Sequence, residues 1–353
     1  MCIDGKFPIP YDLAQKADIR KNNLKPLLHA ELINDPFGDP ALFVEILWEH
    51  RALLFDMGEI GAFRPAKLLK ISHAFVSHTH IDHFVGFDTL VRLMLNREKA
   101  LRVFGPPGFL ANVRGRLAGY TWNLTEGYPF SVIAAEVHPD RILSQTFRSQ
   151  QRFLPEEKRE APFTGILEKD SQLKISAVHL DHFIPSLAFA LEERFHINVH
   201  KERLSERGLS IGRWLKEMKD ALWRGEPAEF PLRVPLESAG RGEEKVFPLG
   251  SLRDTVTLTP GQKIVYVADC RFSEENARRI IQLAGGADLF FCEAGFLDRD
   301  RNRAEERGHL TARQAGELAR QCRVKKLQVF HFSPKYEKEA EEMFREAEEA
   351  FRG

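Results

Sequence analysis

Short apolar runs alternate with amphipathic stretches along most of the chain. From about residue 41 to 56, ALFVEILWEHRALLFD reads as two strands around a polar turn at Glu49-His50-Arg51. HAFVSH (73–78) predicts a short buried strand, FDTLVRLMLN (87–96) has helical spacing, and LRVFGPPG (101–108) is a strand ending in a Pro/Gly turn. LKISAVHLDH (173–182) and SLAFALEE (186–193) read as paired strands. Later come a strand KIVYVADC (263–270), a helix over 273–284 and a strand DLFFCEAG (288–295). The helix TARQAGELARQC (311–322) has Thr311 as its cap, and KLQVFHFSPKY (326–336) is the last buried strand. The tail over 337–352 carries seven acids and three bases and reads as a solvated terminal helix. Alternation of this kind predicts a layered α/β architecture.

One regularity stands out. Successive apolar strands end in His78, His182, Asp269, Glu293 and His331. Strand ends along one sheet edge are where rigid elements can converge polar groups on a cleft.

Between 194 and 224 the texture changes, with eight Lys/Arg against four Asp/Glu and with Trp214 and Trp223. From 225 to 250 the chain is rich in Gly, Pro and Glu. The expectation is a single domain over 1–353 with an inserted arm at 194–250. The excess positive charge of 194–224 suits the phosphate backbone of a nucleic-acid partner. A solvated helix, or a homodimer contact through the tryptophans, is the alternative.

The 353 residues are 43% hydrophobic and 10% aromatic, enough for a sizeable core. A formal net charge of +0 argues against non-specific nucleic-acid or membrane binding by the whole surface. Cys2, Cys270, Cys292 and Cys322 are scattered and form no CxxC pair, so they read as reduced thiols. No stretch approaches the roughly 18 apolar residues of a membrane span, and the opening residues 1–20 lack a long apolar run. A cytoplasmic protein is expected.

FVSHTHIDHFVGF (75–87) places His78, His80, Asp82 and His83 within six positions. Crowding these groups at a strand end without a ligand would be costly. Imidazole nitrogen and carboxylate oxygen are zinc donors, and a two-metal site uses a carboxylate between metals roughly 3.5–4 Å apart. His78, His80, Asp82, His83, His182, Asp269 and His331 are the candidate ligands. The absence of thiolates suits a hydrolytic site better than a structural one. His179 is an alternative to His182, but odd spacing on a strand puts the two on opposite faces, and His182 sits at the strand's end.

SHTHIDH matches the HxHxDH signature of the metallo-β-lactamase superfamily. FDMGE (55–59), GPPG (105–108), HLDHFIPSLAF (179–189), VYVADCR (265–271), CEAGF (292–296), HLTARQAG (309–316) and HFSPKY (331–336) resemble its ribonuclease Z branch. The resemblance covers residues from about 40 to 336. It implies an αβ/βα sandwich with a dinuclear metal site at one edge of the sheets, with two divalent ions, Zn²⁺ first and Mn²⁺ or Fe²⁺ as alternatives. It assigns His78, His80 and His182 to one metal, Asp82, His83 and His331 to the second, and Asp269 to the bridge. It implies metal-hydroxide attack on an RNA phosphodiester, at the 3′ end of precursor tRNA. His309, held by Glu293, would assist the leaving oxygen, so Asp82, Glu293 and His309 are the candidate catalytic residues.

The chain departs from the family pattern in three places. Cys292-Glu293-Ala294-Gly295 stands for HEAT, and Ala268-Asp269-Cys270 stands for GDT. GLSIGRWLKEMK in the arm keeps Gly208 and Gly212 but no proline. Two other functions stay open: hydrolysis of a small phosphodiester, cyclic nucleotide or ester, and a non-catalytic metal-bound binding protein.

Overall fold

The computed structural model describes residues 27–47, 49–236 and 244–353; the opening residues 1–20 and Cys2 lie outside them. The described residues divide into two compact units, one of Leu28–Arg194 with Gly261–Gly353 and one of Phe195–Pro260.

The larger unit is built on two sheets. Eight strands form the first in sequence order: β1 (Leu28–Leu32), β2 (Leu42–Ile46), β3 (Arg51–Phe55), β4 (Ile71–Phe75), β5 (Ala100–Gly105), β6 (Ser131–Val137), β7 (Arg141–Arg148) and β8 (Arg159–Pro162). Strands β3 to β6 run parallel. The second sheet contains β9 (Ile166–Lys169), β10 (Leu173–Asp181) and β11 (Pro185–Glu193). It is completed by β16 (Lys263–Val267), β17 (Leu289–Glu293) and β18 (Leu327–Phe330), in the order β18-β17-β16-β11-β10-β9. The last three run parallel, and β10 pairs antiparallel with β11 along its whole length.

Both faces of the central strands are buried, which is why they read as continuous apolar runs rather than as alternations. In the first sheet Leu54, Ala74, Val76 and Val103 face the cluster that holds Phe87, Leu90 and Val113 from its helices. In the second, Val265, Val267 and Ala190 face Ile280, Leu318 and Met343 from theirs. The intervening residues meet between the sheets: the Phe55 ring lies 5.8 Å from Phe189 and 5.9 Å from Tyr266, and Phe75 lies 5.7 Å from Phe189. Helix, sheet, sheet and helix therefore stack as the αβ/βα sandwich that the sequence leads one to expect.

Two sequence expectations need correction. The last strand stops at Phe330 rather than running to 336, because His331 takes φ 62° and Pro334–Glu339 form a 3-10 turn. The terminal helix is Ala340–Arg352 and is solvated on one side only. Met343, Ala347 and Ala350 are buried, and the helix packs against Ala312–Gln321, which opens on a Thr311–Gln314 capping box.

The smaller unit pairs β12 (Phe195–Val199) with β15 (Val256–Pro260), and β13 (Pro231–Pro235) with β14 (Glu244–Pro248). Its helices are Lys201–Glu206 and Trp214–Arg224. It has its own core of Ile197, Leu204, Trp214, Met218, Trp223 and Leu252. The indole of Trp214 donates to the Ser210 carbonyl at 2.8 Å and that of Trp223 to the Phe195 carbonyl at 3.1 Å. Both tryptophans are packing residues and offer no stacking face to a ligand. Among the described residues no helix is long and apolar enough to cross a membrane.

The helix pair at the chain's end meets at Gly316, where an added Cβ would lie 2.2 Å from the Ala347 carbonyl oxygen. Gly115, on the exposed side of the helix Phe109–Ala118, would meet nothing within 4 Å. Gly316→Ala is expected to destabilise the protein by about 1–3 kcal/mol through overpacking. Gly115→Ala is expected to stabilise it by up to about 1 kcal/mol through helix propensity. Thermal melts of the two variants check the opposite signs.

Candidate metal centre

Every candidate group but His309 lies at, or in the loop beyond, the carboxyl end of a strand, the edge at which open α/β sheets gather ligands. β4 runs into Ser77 and His78; the short helix Ile81–Phe84 then carries Asp82 and His83, with His80 as its N-cap in extended conformation. β10 delivers His182, β16 Asp269, β17 Glu293 and β18 His331. His309 follows Gly308, whose φ of 76° ends the helix Arg301–Arg307.

The structure brings all of these residues together. His78, His80, His182 and Asp269 offer donor atoms within 4.8 Å of one another, and so do Asp82, His83 and His331. Asp269 is divided between the two sets. Its Oδ2 lies 3.8 Å from His78 Nε2 and 3.6 Å from His182 Nε2, and its Oδ1 lies 3.4 Å from His83 Nε2 and 2.7 Å from His331 Nδ1.

The other side of three of the rings is tied down. His182 Nδ1 donates to the Gly308 carbonyl at 2.9 Å, and His83 Nδ1 to Asp56 Oδ2 at 2.8 Å. Ser77 Oγ donates to Asp56 at 2.8 Å, which leaves its lone pairs to accept from His78 Nδ1 at 3.1 Å. Nε2 of all three rings is thereby left as the nitrogen aimed inward, the arrangement in which metal-binding histidines are held. Among the described residues His78 Nε2 and His83 Nε2 are buried without a hydrogen-bond partner, while Asp269 Oδ1 and His331 Nδ1 are buried against each other as an ion pair at 2.7 Å. Buried polar atoms are rarely left so. Nitrogen and carboxylate donors of this kind fit a divalent metal ion.

Asp269, Glu293, His309 and His331 form a third close group. Glu293 is already committed: Oε1 accepts from the Cys270 and Leu310 amides, and Oε2 from the Gly295 amide at 3.2 Å. His309 Nδ1 reaches the same Oε2 at 3.2 Å. A metal would have to displace these bonds, so Glu293 is an anchor for the His309 ring.

The electrostatics follow the same division. Burial, with the neighbouring His83, drives the His78 imidazole down to about 2, so it stays neutral. Burial likewise lowers His80. Burial works against charge on His331 and His83, yet the carboxylates of Asp269 and Asp82 lift His331 to about 10, and Asp269 and Asp56 raise His83. Burial opposes charge on His309 too, and Glu293 followed by Asp269 outweighs it and raises that imidazole. Burial pushes the Cys270 and Cys292 thiols well up.

His179 points elsewhere, its Nε2 donating to the Val137 carbonyl at 2.9 Å, and it joins none of the three groups. Asp56 was missed by the sequence reading as a site residue. It is fully buried at the end of β3 and accepts from the Ser77 amide, Ser77 Oγ, His83 Nδ1 and Tyr266 OH. The signal was available: an acid directly after an apolar strand, in FDMGE, is the pattern that marks Asp269.

Residues 248–332 match the Beta-lactamase superfamily domain. The chain is 27% identical over 333 residues to Ribonuclease Z of Deinococcus radiodurans, covering 92% of this chain and 96% of that protein. It is 29% identical over 311 residues to Ribonuclease Z of Brevibacillus brevis, covering 84% and 82%. Among solved structures, the metallo-beta-lactamase fold protein YhfI from Bacillus subtilis superposes with a TM-score of 0.51 at 13% identity, covering 92% of this chain and 93% of that one.

A metal ligand must be unprotonated, and His331 and His83 hold their protons near neutral pH when no metal is present. Loading the metal-free protein at pH 7 should therefore release protons, and the release from His331 should fade as pH rises through about 10. Calorimetric titration with metal in buffers of different ionisation enthalpy measures this; a heat independent of buffer would contradict it.

Proposed function

Starting from a chain with the metallo-β-lactamase fold that resembles ribonuclease Z over most of its length, we propose that this protein is a metal-dependent phosphodiesterase. Its reaction would be the cleavage of RNA at the 3′ end of precursor tRNA. The observation that carries the reading is the division of Asp269 between two sets of imidazole nitrogens. His78, His80 and His182 would hold one divalent ion, and Asp82, His83 and His331 the other, with Asp269 between them. The donor set suits zinc and leaves manganese or iron as alternatives. When bound, such a pair lowers the pKa of water and neutralises charge developing on the phosphate oxygens.

The chain's own residues supply the rest. Water adds to phosphorus and the bond to the leaving oxygen breaks, so that oxygen needs a proton. His309 is raised toward the protonated form, and Glu293 engages Nδ1, which leaves Nε2–H as the free donor. General acid catalysis by a positioned imidazole is typically worth about 10²–10⁴ in rate. Glu293 fixes the ring through its bonds to three backbone amides. Asp82 Oδ2 accepts from His331 Nε2 at 3.2 Å and so aims His331 Nδ1 at Asp269.

The basic stretch 194–224 is the proposed RNA contact. Trp214 and Trp223 are buried, so that contact would rest on charge and be sensitive to salt. The missing proline motif in GLSIGRWLKEMK favours the second reading, the same chemistry on a smaller phosphodiester.

The deciding experiment is cleavage of a precursor tRNA with a 3′ trailer beside bis-p-nitrophenyl phosphate, using zinc- and manganese-loaded protein. A single cut after the tRNA body supports the first reading. Hydrolysis of the small ester alone moves the protein to the second. Neither activity, with metal retained, would leave only a binding role.

Two variants test the residue roles. His80→Ala should lose bound metal, read by elemental analysis, and with it hydrolysis. His309→Ala should keep its metal and lose about 10²–10⁴ in rate, most for poor leaving groups; loss of metal in that variant would make His309 a ligand.

A further inference from the structure

Large apolar side chains are exposed at three points within three positions of site residues. Phe183 follows His182 and is 58% exposed, Ile81 between His80 and Asp82 is 76% exposed, and Phe272 beyond Asp269 is 41% exposed. Phe183 differs from the other two in how it is held. Its backbone sits at φ 61°, a conformation that a bulky residue rarely adopts and that tends to cluster at ligand sites. Its amide donates to Asp181 Oδ1 at 2.8 Å, which fixes the turn.

The ring has a defined setting as well. The Arg271 guanidinium lies 5.0 Å from the ring centre, and Arg271 is itself tied to Asp181 by its amide at 3.0 Å and by its side chain at 3.4 Å. Arg271 Nε is buried without a hydrogen-bond partner among the described residues. Beside the Cδ2–Cε2 side of the ring, Gly308 leaves room for it, since a Cβ there would come within 3.0 Å of Phe183 Cε2 and of His182 Nδ1. A fixed aromatic surface, more than half exposed, thus stands beside a guanidinium side chain that is 35% exposed. Both are one or two residues from candidate metal ligands, and the ring adjoins the loop that carries His309.

An exposed aromatic face beside an arginine is the combination that single-stranded nucleic-acid sites use, the ring for a base and the guanidinium for the backbone. We propose that Phe183 is a base-stacking platform for a nucleotide flanking the scissile phosphate, with Arg271 contacting the adjoining phosphate. The inference rests on the phosphodiesterase reading above and narrows its substrate to nucleotides with an unpaired base at the junction.

The test uses the full-length, metal-loaded protein and a dinucleotide containing 2-aminopurine, whose fluorescence is quenched on stacking, read by stopped flow before turnover. The wild type should quench it, Phe183→Ala should bind about tenfold more weakly, within the range of one base stack, and Phe183→Tyr should restore binding. Quenching that is absent in the wild type, or unchanged in Phe183→Ala, would overturn the proposal. In turnover, Phe183→Ala should lower kcat/KM about tenfold more for a trailer RNA than for the same RNA with an abasic junction, chiefly through KM. An equal loss on both would mark a structural role and also overturn it. If the wild type hydrolyses a methyl p-nitrophenyl phosphate but no RNA, the RNA reading fails, and the dinucleotide quench still decides Phe183.

Discussion

The centre depends on a carboxylate that faces away from it. Asp56 is sealed between the two sheets and accepts hydrogen bonds from Ser77, His83 and Tyr266, so one buried charge ties the end of β3, the loop after β4 and strand β16. A buried carboxylate is tolerable only when its oxygens are satisfied. Here the donors that satisfy it are the groups whose orientation the centre needs. His83 Nδ1 is consumed by Asp56, and His78 Nδ1 by the serine that Asp56 holds. The bare Nε2 atoms follow from that arrangement, as does the shape of the loop.

The opposite wall is organised in the same way by Glu293. It gathers the amides of Cys270, Gly295 and Leu310 from three segments and holds His309. Two buried acids, one per sheet, therefore set the positions of the imidazoles around the centre. The parallel strands make this possible, because their carboxyl ends open on one edge and leave the loops free to turn inward.

Much of this was legible in the amino-acid sequence for a physical reason. Strands buried on both faces have to be continuously apolar, so the abrupt polar residue at each end is visible: His78, His182, Asp269, Glu293 and His331 are all placed that way. Asp56 has the same signature but no partner nearby in sequence; Tyr266 is 210 positions away, and only the folded sheets reveal the bond. Trp214 and Trp223 looked equally suited to stacking or to packing, and burial in a separate core decided for packing. His331 was read inside a long strand because Phe330 and Phe332 continue the apolar pattern, whereas its positive φ turns the ring out of the sheet. Local composition reports burial well and backbone turns poorly.

Cys270 directly follows Asp269, and Cys292 directly precedes Glu293; both thiols are fully buried and held in their protonated form. Oxidants and alkylating reagents attack the thiolate, and they need access to it. The positions that the related pattern fills with other residues are therefore occupied here by sulfur that is chemically quiet. Both sulfurs belong to the apolar core behind the centre, so peroxide reaching the cleft would meet no thiolate at these two positions.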